Sequence, residues 1–205
     1  MIPLNLFEDP PPEADALRVA LAPGAVLMRG FGLDGDAQLL QAVESVMAQA
    51  PPQHFQMPGG GMMSVASTRC GSVGWVPGER LLPMPGCLMD FALRAAAEAG
   101  YPHFVPDSCL INYYAPGAKL GLHQDRHEFD LRAPIVSLSM GLPAVFQFGG
   151  FQRSDRAERY RLVHGDVVVW GGPARLRFHG VLPIKDGMHP LVGRRRLNVT
   201  FRKIA

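Results

Sequence analysis

Long apolar runs are missing from this chain: nowhere do about 18 apolar residues stand together, so no membrane-spanning helix is expected. Cysteine is scarce as well. Cys70, Cys87 and Cys109 cannot all pair and lack the spacing of a zinc motif, which points to reduced, packed thiols. The opening residues, MIPLNLFEDPPP, hold no basic side chain before Glu8 and no apolar run of signal-peptide length, so a cytoplasmic protein is expected. An excess of one charge is also absent. With 20 Lys and Arg against 18 Asp and Glu, the net charge of +2 permits contact with phosphates but excludes a dense nucleic-acid packager. What abounds is turn chemistry, 23 Gly and 19 Pro, within a chain 47% hydrophobic and 19% charged. That composition describes one folded domain of short strands, residues 1–205, and excludes disorder and long helical bundles.

Two helices are expected. Leu39, Leu40, Val43, Val46 and Met47 recur at helical spacing across 36–50, with Asp34 or Asp36 as the cap. From about Cys87 to Glu98, Leu88, Phe91, Ala92 and Ala95 share a face, and Gly100 is the stop signal. Between them the Pro-, Gly- and Met-rich stretch 51–63 reads as a mobile surface loop, and Met57, Met62 and Met63 there are given no metal. From Ser108 onward the period changes to two. Val136, Leu138 and Met140 alternate with Ser137 and Ser139, Ala144, Phe146 and Phe148 follow, and Gly165-Asp166 turns ahead of Val167 to Trp170. Helices first and strands later give an α+β class, in which 1–107 supplies helical support and nucleotide recognition and 108–205 a barrel or jelly roll.

His123 and Asp125, two apart on an extended segment, leave the same face and can share one metal ion. A lone HxD also occurs without any metal. In ARLRFHGV (174–181), alternation places Arg175, Arg177 and His179 opposite Ala174, Leu176 and Phe178, so His179 projects from a strand as a third donor. Two His and one carboxylate are the facial triad of non-haem iron(II) oxygenases, which leaves positions open for an oxidant and a cosubstrate. The last strand, RRRLNVTFR, sets Leu197, Val199 and Phe201 against Arg196, Asn198, Thr200 and Arg202. An exposed edge strand has the same pattern. Arginine forks suit bidentate recognition of carboxylates, and Asn112 and Tyr114 share a face from which neutral hydrogen bonds can join them. His164 is expected in a turn or core, Glu128 and Asp130 as solvated or structural, and the Arg153, Arg156, Arg159 and Arg161 cluster is either a basic loop or a phosphate contact.

The run INYYAPGAKLGLHQDRHEFDLRAPIVSLSMGLPAVFQFGG, followed by HGDVVVWGG, RFHGV and RRLNVTFR, resembles the AlkB family of nucleic-acid dealkylases. The resemblance implies a double-stranded β-helix, with iron(II) held by His123, Asp125 and His179. It also implies 2-oxoglutarate held by Arg196 and Arg202 with help from Asn112, Tyr114 and Asn198. The expected activity uses O2 and 2-oxoglutarate to demethylate 1-methyladenine and 3-methylcytosine in DNA, and in RNA as a further substrate, releasing an aldehyde, succinate and CO2. A monomer without membrane contact is expected. Trp75 matches the family's base-stacking aromatic, and His127 stands where the bacterial prototype has an acidic residue facing the base. The segment after Trp75 is shorter than the family's nucleotide-gripping lid. Rival readings are tRNA modification, hydroxylation of a protein or small molecule, and a non-catalytic metal-binding barrel, which needs no arginine clamp.

Overall fold

Hydrophobic periodicity becomes two helices and twelve strands in the computed structural model, which describes residues 17–56, 60–74, 81–126 and 128–205. The strands are β1 (Arg18–Ala22), β2 (Ala25–Met28), β3 (Gln53–Gln56), β4 (Met62–Gly71), β5 (Ser108–Tyr114) and β6 (Leu120–His123), then β7 (Ile135–Gly141), β8 (Ala144–Phe148), β9 (Glu158–Leu162), β10 (Val167–Trp170), β11 (His179–Val181) and β12 (Arg196–Arg202). The helices are α1 (Asp36–Gln49) and α2 (Gly86–Glu98). All paired strands are antiparallel. One sheet has eight strands in the order β1-β2-β10-β7-β12-β5-β4-β3, and the other has four, β6-β11-β8-β9. This is the expected jelly roll with helices on one side, and the large sheet draws strands from both halves of the chain.

Two apolar clusters place the layers. Val43 and Val46 of α1 and Leu88, Phe91 and Ala92 of α2 pack with Ile111, Val136, Leu138, Val199 and Phe201 on the helix side of the large sheet. On its other side, Leu27, Ile135, Phe146, Phe148, Val168, Trp170 and Val181 form a second cluster with the small sheet. Burying side chains of this size is worth about 1.5–3 kcal/mol each. Both sides of β12 are therefore covered, and all seven of its residues are buried. It pairs with β5 along one edge and β7 along the other, so its polar side chains face the protein interior and not solvent.

Several expectations are corrected. The first helix is not capped by Asp34 or Asp36; Gly35, left-handed at φ 82°, precedes it with no side-chain cap. The stretch 51–63 is not simply a loop, because β3 and the start of β4 pair there. Every residue of β3 is exposed, so no apolar alternation announces it. The segment 174–181 is a strand only from His179. Ala174 ends a short 3-10 turn begun at Gly172, a tight turn that breaks the alternation. Gly100 does end α2, at φ 93°. Cys70 and Cys109 sit opposite each other on β4 and β5, buried and unoxidised, while Cys87 is half-buried and free. Among the described residues no helix is long and apolar enough to cross a membrane.

Candidate metal and cosubstrate site

β6 and β11 pair antiparallel with His123 directly opposite His179. That register requires the backbones to come close at Gly180, where a Cβ would lie 2.8 Å from Leu120 O. The imidazole centroids are then 4.4 Å apart. Asp125, just beyond β6, places Oδ1 3.7 Å from His123 Nε2 and Oδ2 3.4 Å from His179 Nε2. The three donor atoms lie within 4.8 Å of one another.

Hydrogen bonding sets the tautomers. His123 Nδ1 is 2.9 Å from Gly121 O and His179 Nδ1 is 3.1 Å from Arg177 O. A carbonyl only accepts, so each Nδ1 carries a proton and each Nε2 is turned to the common point. Burial, and then the charge of His179, lowers the His123 pKa from 6.5 to about 4, so the ring is neutral near pH 7. Burial alone would raise Asp125, but the Arg202 guanidinium and both imidazoles hold it well below the usual carboxylate range. A neutral imidazole at His123 and an ionised carboxylate at Asp125 suit a divalent cation.

These side chains line one cavity with Asn112, Tyr114, Phe146, Trp170, Arg196, Asn198, Thr200 and Arg202. Arg196 is 1% exposed. Its Nη2 donates to Ser139 Oγ at 3.2 Å, whereas Nε and Nη1 have no hydrogen-bond partner. The Tyr114 hydroxyl is buried and likewise unmatched, with the guanidinium 4.8 Å over its ring. Burial raises the Tyr114 pKa, opposed by the Arg196 charge, and lowers that of Arg196. Buried donors without acceptors cost free energy until a ligand supplies them, and a carboxylate fits both. Asn112 accepts at Oδ1 from Ser67 Oγ, 2.7 Å away, which leaves its amide hydrogens to donate. Asn198 is committed to the protein: Nδ2 donates to Ser137 Oγ at 2.8 Å and Leu138 O at 3.1 Å, and Oδ1 accepts from Thr200.

Arg196 and Arg202 thus share the cavity but not their partners. Arg202 directs Nη2 to Asp125 Oδ2 at 2.8 Å and Nη1 to Glu128 Oε1 at 2.9 Å. Glu128, expected to be solvated or structural, is fully buried between Arg202 and Arg175. Its place next to an HxD loop gives no sequence signal, because loop residues lack a burial period. Ser137 and Ser139, read from the sequence only as alternating with the apolar positions, lie on a strand that is buried throughout. His164 lies in a turn, where Nδ1 accepts from Gly141 N at 3.0 Å and Nε2 faces Asp36 at 3.1 Å. Asp130 pairs with exposed Arg132. Trp75 and His127 lie outside the described residues, as does Met57.

The depressed His123 pKa has a consequence for the metal-free protein. Below about 6.5 the unfolded chain takes up a proton that the folded chain refuses until about 4, so stability is present above that window and lost through it. The melting temperature should fall as pH drops from 6.5 to 4, and less steeply in His123→Ala. Thermal melts of both proteins across the window check this; identical slopes would mean the ring is not buried in its neutral form.

The family model described as the 2OG-Fe(II) oxygenase superfamily matches residues 24–202. The chain is 49% identical to "Alpha-ketoglutarate-dependent dioxygenase AlkB" of Escherichia coli (strain K12), over 98% of this chain and 97% of that protein. It is 41% identical to an "Alpha-ketoglutarate-dependent dioxygenase AlkB homolog" of Caulobacter vibrioides (strain NA1000 / CB15N), over 90% of each. Among solved structures, OsALKBH1 superposes with a TM-score of 0.73 at 29% identity, over 91% of this chain and 99% of that one.

Proposed function

Since the chain belongs to the 2OG-Fe(II) oxygenase superfamily and to its AlkB dioxygenases, we propose that it repairs 1-methyladenine and 3-methylcytosine, chiefly in single-stranded DNA. It is an iron(II)- and 2-oxoglutarate-dependent dioxygenase that acts on nucleic acids. We further propose that it works as a monomer in the cytosol. One observation carries the cosubstrate assignment: Nε and Nη1 of buried Arg196 and the Tyr114 hydroxyl stand unmatched in the cavity that the His-Asp-His cluster lines.

In this reading His123, Asp125 and His179 would hold iron(II) through Nε2, a carboxylate oxygen and Nε2. Arg196, Tyr114 and the Asn112 amide would hold the cosubstrate, and Asn198 would hold β12 against β7. Arg202 holds Asp125 in its ionised form. Iron(II) with 2-oxoglutarate and O2 would supply the oxidation of the N-methyl carbon, after which the N–CH2OH bond breaks to release an aldehyde and leave the unmodified base in its strand. The protein's share is orientation and exclusion of water, for which Phe146, Leu162, Trp170 and Val181 supply apolar walls. His123 has 32% of its side chain exposed against 7% for Asp125 and 6% for His179, so the base approaches over the His123 ring. It must leave its stack to do so, at a cost of a few kcal/mol that single strands largely avoid.

The test is mass spectrometry of methylated DNA, duplex DNA and tRNA after turnover with iron(II), 2-oxoglutarate and O2, alongside succinate release. Demethylated bases with matching succinate, fastest on single-stranded DNA, support the reading. Succinate without any demethylated base overturns it. In the same assay Trp75→Ala should lose base stacking worth about 1–3 kcal/mol and slow repair accordingly, while substrate-independent decarboxylation stays near the parent rate. Equal repair by both proteins would remove Trp75 from the base-binding set.

A further inference from the structure

Arg175 lies outside the cavity, 3% exposed, and spends its entire fork on one loop. Nε donates to Ala133 O at 2.9 Å, Nη1 to Asp125 O at 2.5 Å, and Nη2 is 3.1 Å from Glu128 Oε2. Glu128 in turn meets Arg202, and Arg202 meets the Asp125 carboxylate. The four charged residues close a buried ring, two cations and two anions, in which Asp125 is touched twice: at its backbone by Arg175 and at its side chain by Arg202.

The ring also joins two parts of the chain. Arg175 follows the 3-10 turn Gly172–Ala174 and precedes His179 by four positions (179 − 175), so it sits on the segment that delivers the third donor. Its partners all belong to the segment that carries the second. A buried ion network adds little net stability over apolar packing of the same volume, so its stabilising value alone gives no reason for four charges here. Geometry does, since a planar fork can hold three acceptors at fixed angles.

We propose that Arg175 is a positioning residue of the oxygenase reaction, acting through Asp125 and Glu128 to set the carboxylate that completes the metal site. The inference rests on the reading of His123, Asp125 and His179 as metal donors. Lysine at this position keeps the charge but presents its donors from one atom, and cannot span Ala133 O, Asp125 O and Glu128 together. Outer partners of metal ligands typically contribute 10- to 100-fold in metal affinity.

The experiment measures Co(II) binding by its ligand-field absorption in the purified parent, Arg175→Lys, Glu128→Gln and His179→Ala proteins, with melting temperatures alongside. Arg175→Lys should weaken Co(II) by about 10- to 100-fold while remaining folded. A native Co(II) affinity in folded Arg175→Lys, with only a lower melting temperature, overturns the proposal. Should Arg175→Lys not fold, Glu128→Gln decides, since it opens the same ring from the other side: weakened Co(II) supports the inference and native affinity overturns it. His179→Ala separates the two levels. If it binds Co(II) as the parent does, the metal reading itself fails, whatever Arg175 shows.

Discussion

Succinate release is expected to fall by more than about 100-fold in His123→Ala, in Asp125→Ala and in His179→Ala, beyond what changes to outer partners cost. Each substitution removes one of three protein donors whose atoms lie within 4.8 Å, and no other His, Cys, Asp or Glu among the described residues joins that cluster. The three differ in what they do to the fold. Removing Asp125 takes one of two carboxylates from the buried Arg202 fork and leaves Glu128 to face both arginines, and breaking such a pair costs about 3–5 kcal/mol of stability. His179 is nearly as deep, but carries no ion pair that must stay satisfied once its ring is gone. His123 is about a third exposed, 32%, and neutral at pH 7, so its alanine variant should melt close to the parent at that pH and lose activity all the same. Succinate assays with added iron(II), read beside melting curves, check this. Near-parental turnover in any folded variant of the three would show that the cluster is not the metal site.

The second large effect belongs to Arg196. Arg196→Ala should raise the apparent KM for 2-oxoglutarate by the equivalent of about 2–5 kcal/mol, the cost of leaving a buried charged partner unmatched. Arg196→Lys should recover only part, because one ammonium cannot reproduce the two free edges of the guanidinium at Nε and Nη1. Tyr114→Phe removes a neutral hydrogen bond and should cost about 1 kcal/mol. Arg202→Ala is expected to behave differently, weakening metal before cosubstrate, since its fork lies on Asp125 and Glu128. Steady-state kinetics over a 2-oxoglutarate series at saturating iron(II) separates the cases. An unchanged KM in Arg196→Ala would make that guanidinium a part of the fold alone.

Much of this site was readable from spacing. The alternation of Leu197, Val199 and Phe201 with Arg196, Asn198, Thr200 and Arg202 survives because β12 has two different covered faces. Phe201 packs against Phe91 of α2, while Arg202 turns to the cavity. His123 and Asp125 were readable because an extended segment repeats every two residues. What escaped has physical reasons. β3 is an edge strand exposed along its length, so nothing in its sequence had to be apolar. Arg175 and Glu128 lie on irregular segments, where inward and outward positions follow no period. The alternation read across 174–178 fails because the turn after Gly171 redirects the chain, yet His179 still reaches the site through its pairing with His123.

β12 occupies an interior position in the eight-stranded sheet, bonded on both edges and covered on both faces. Its amide hydrogens can therefore exchange with solvent only when the whole molecule opens, whereas those of β3 at the sheet margin are released by local fraying. The wall that carries Arg196 and Arg202 has no low-energy opening of its own. On the proposed reading that Arg196 holds the cosubstrate, that grip and the integrity of the fold are lost in one cooperative event on heating, and a partly melted protein that still holds 2-oxoglutarate should not accumulate.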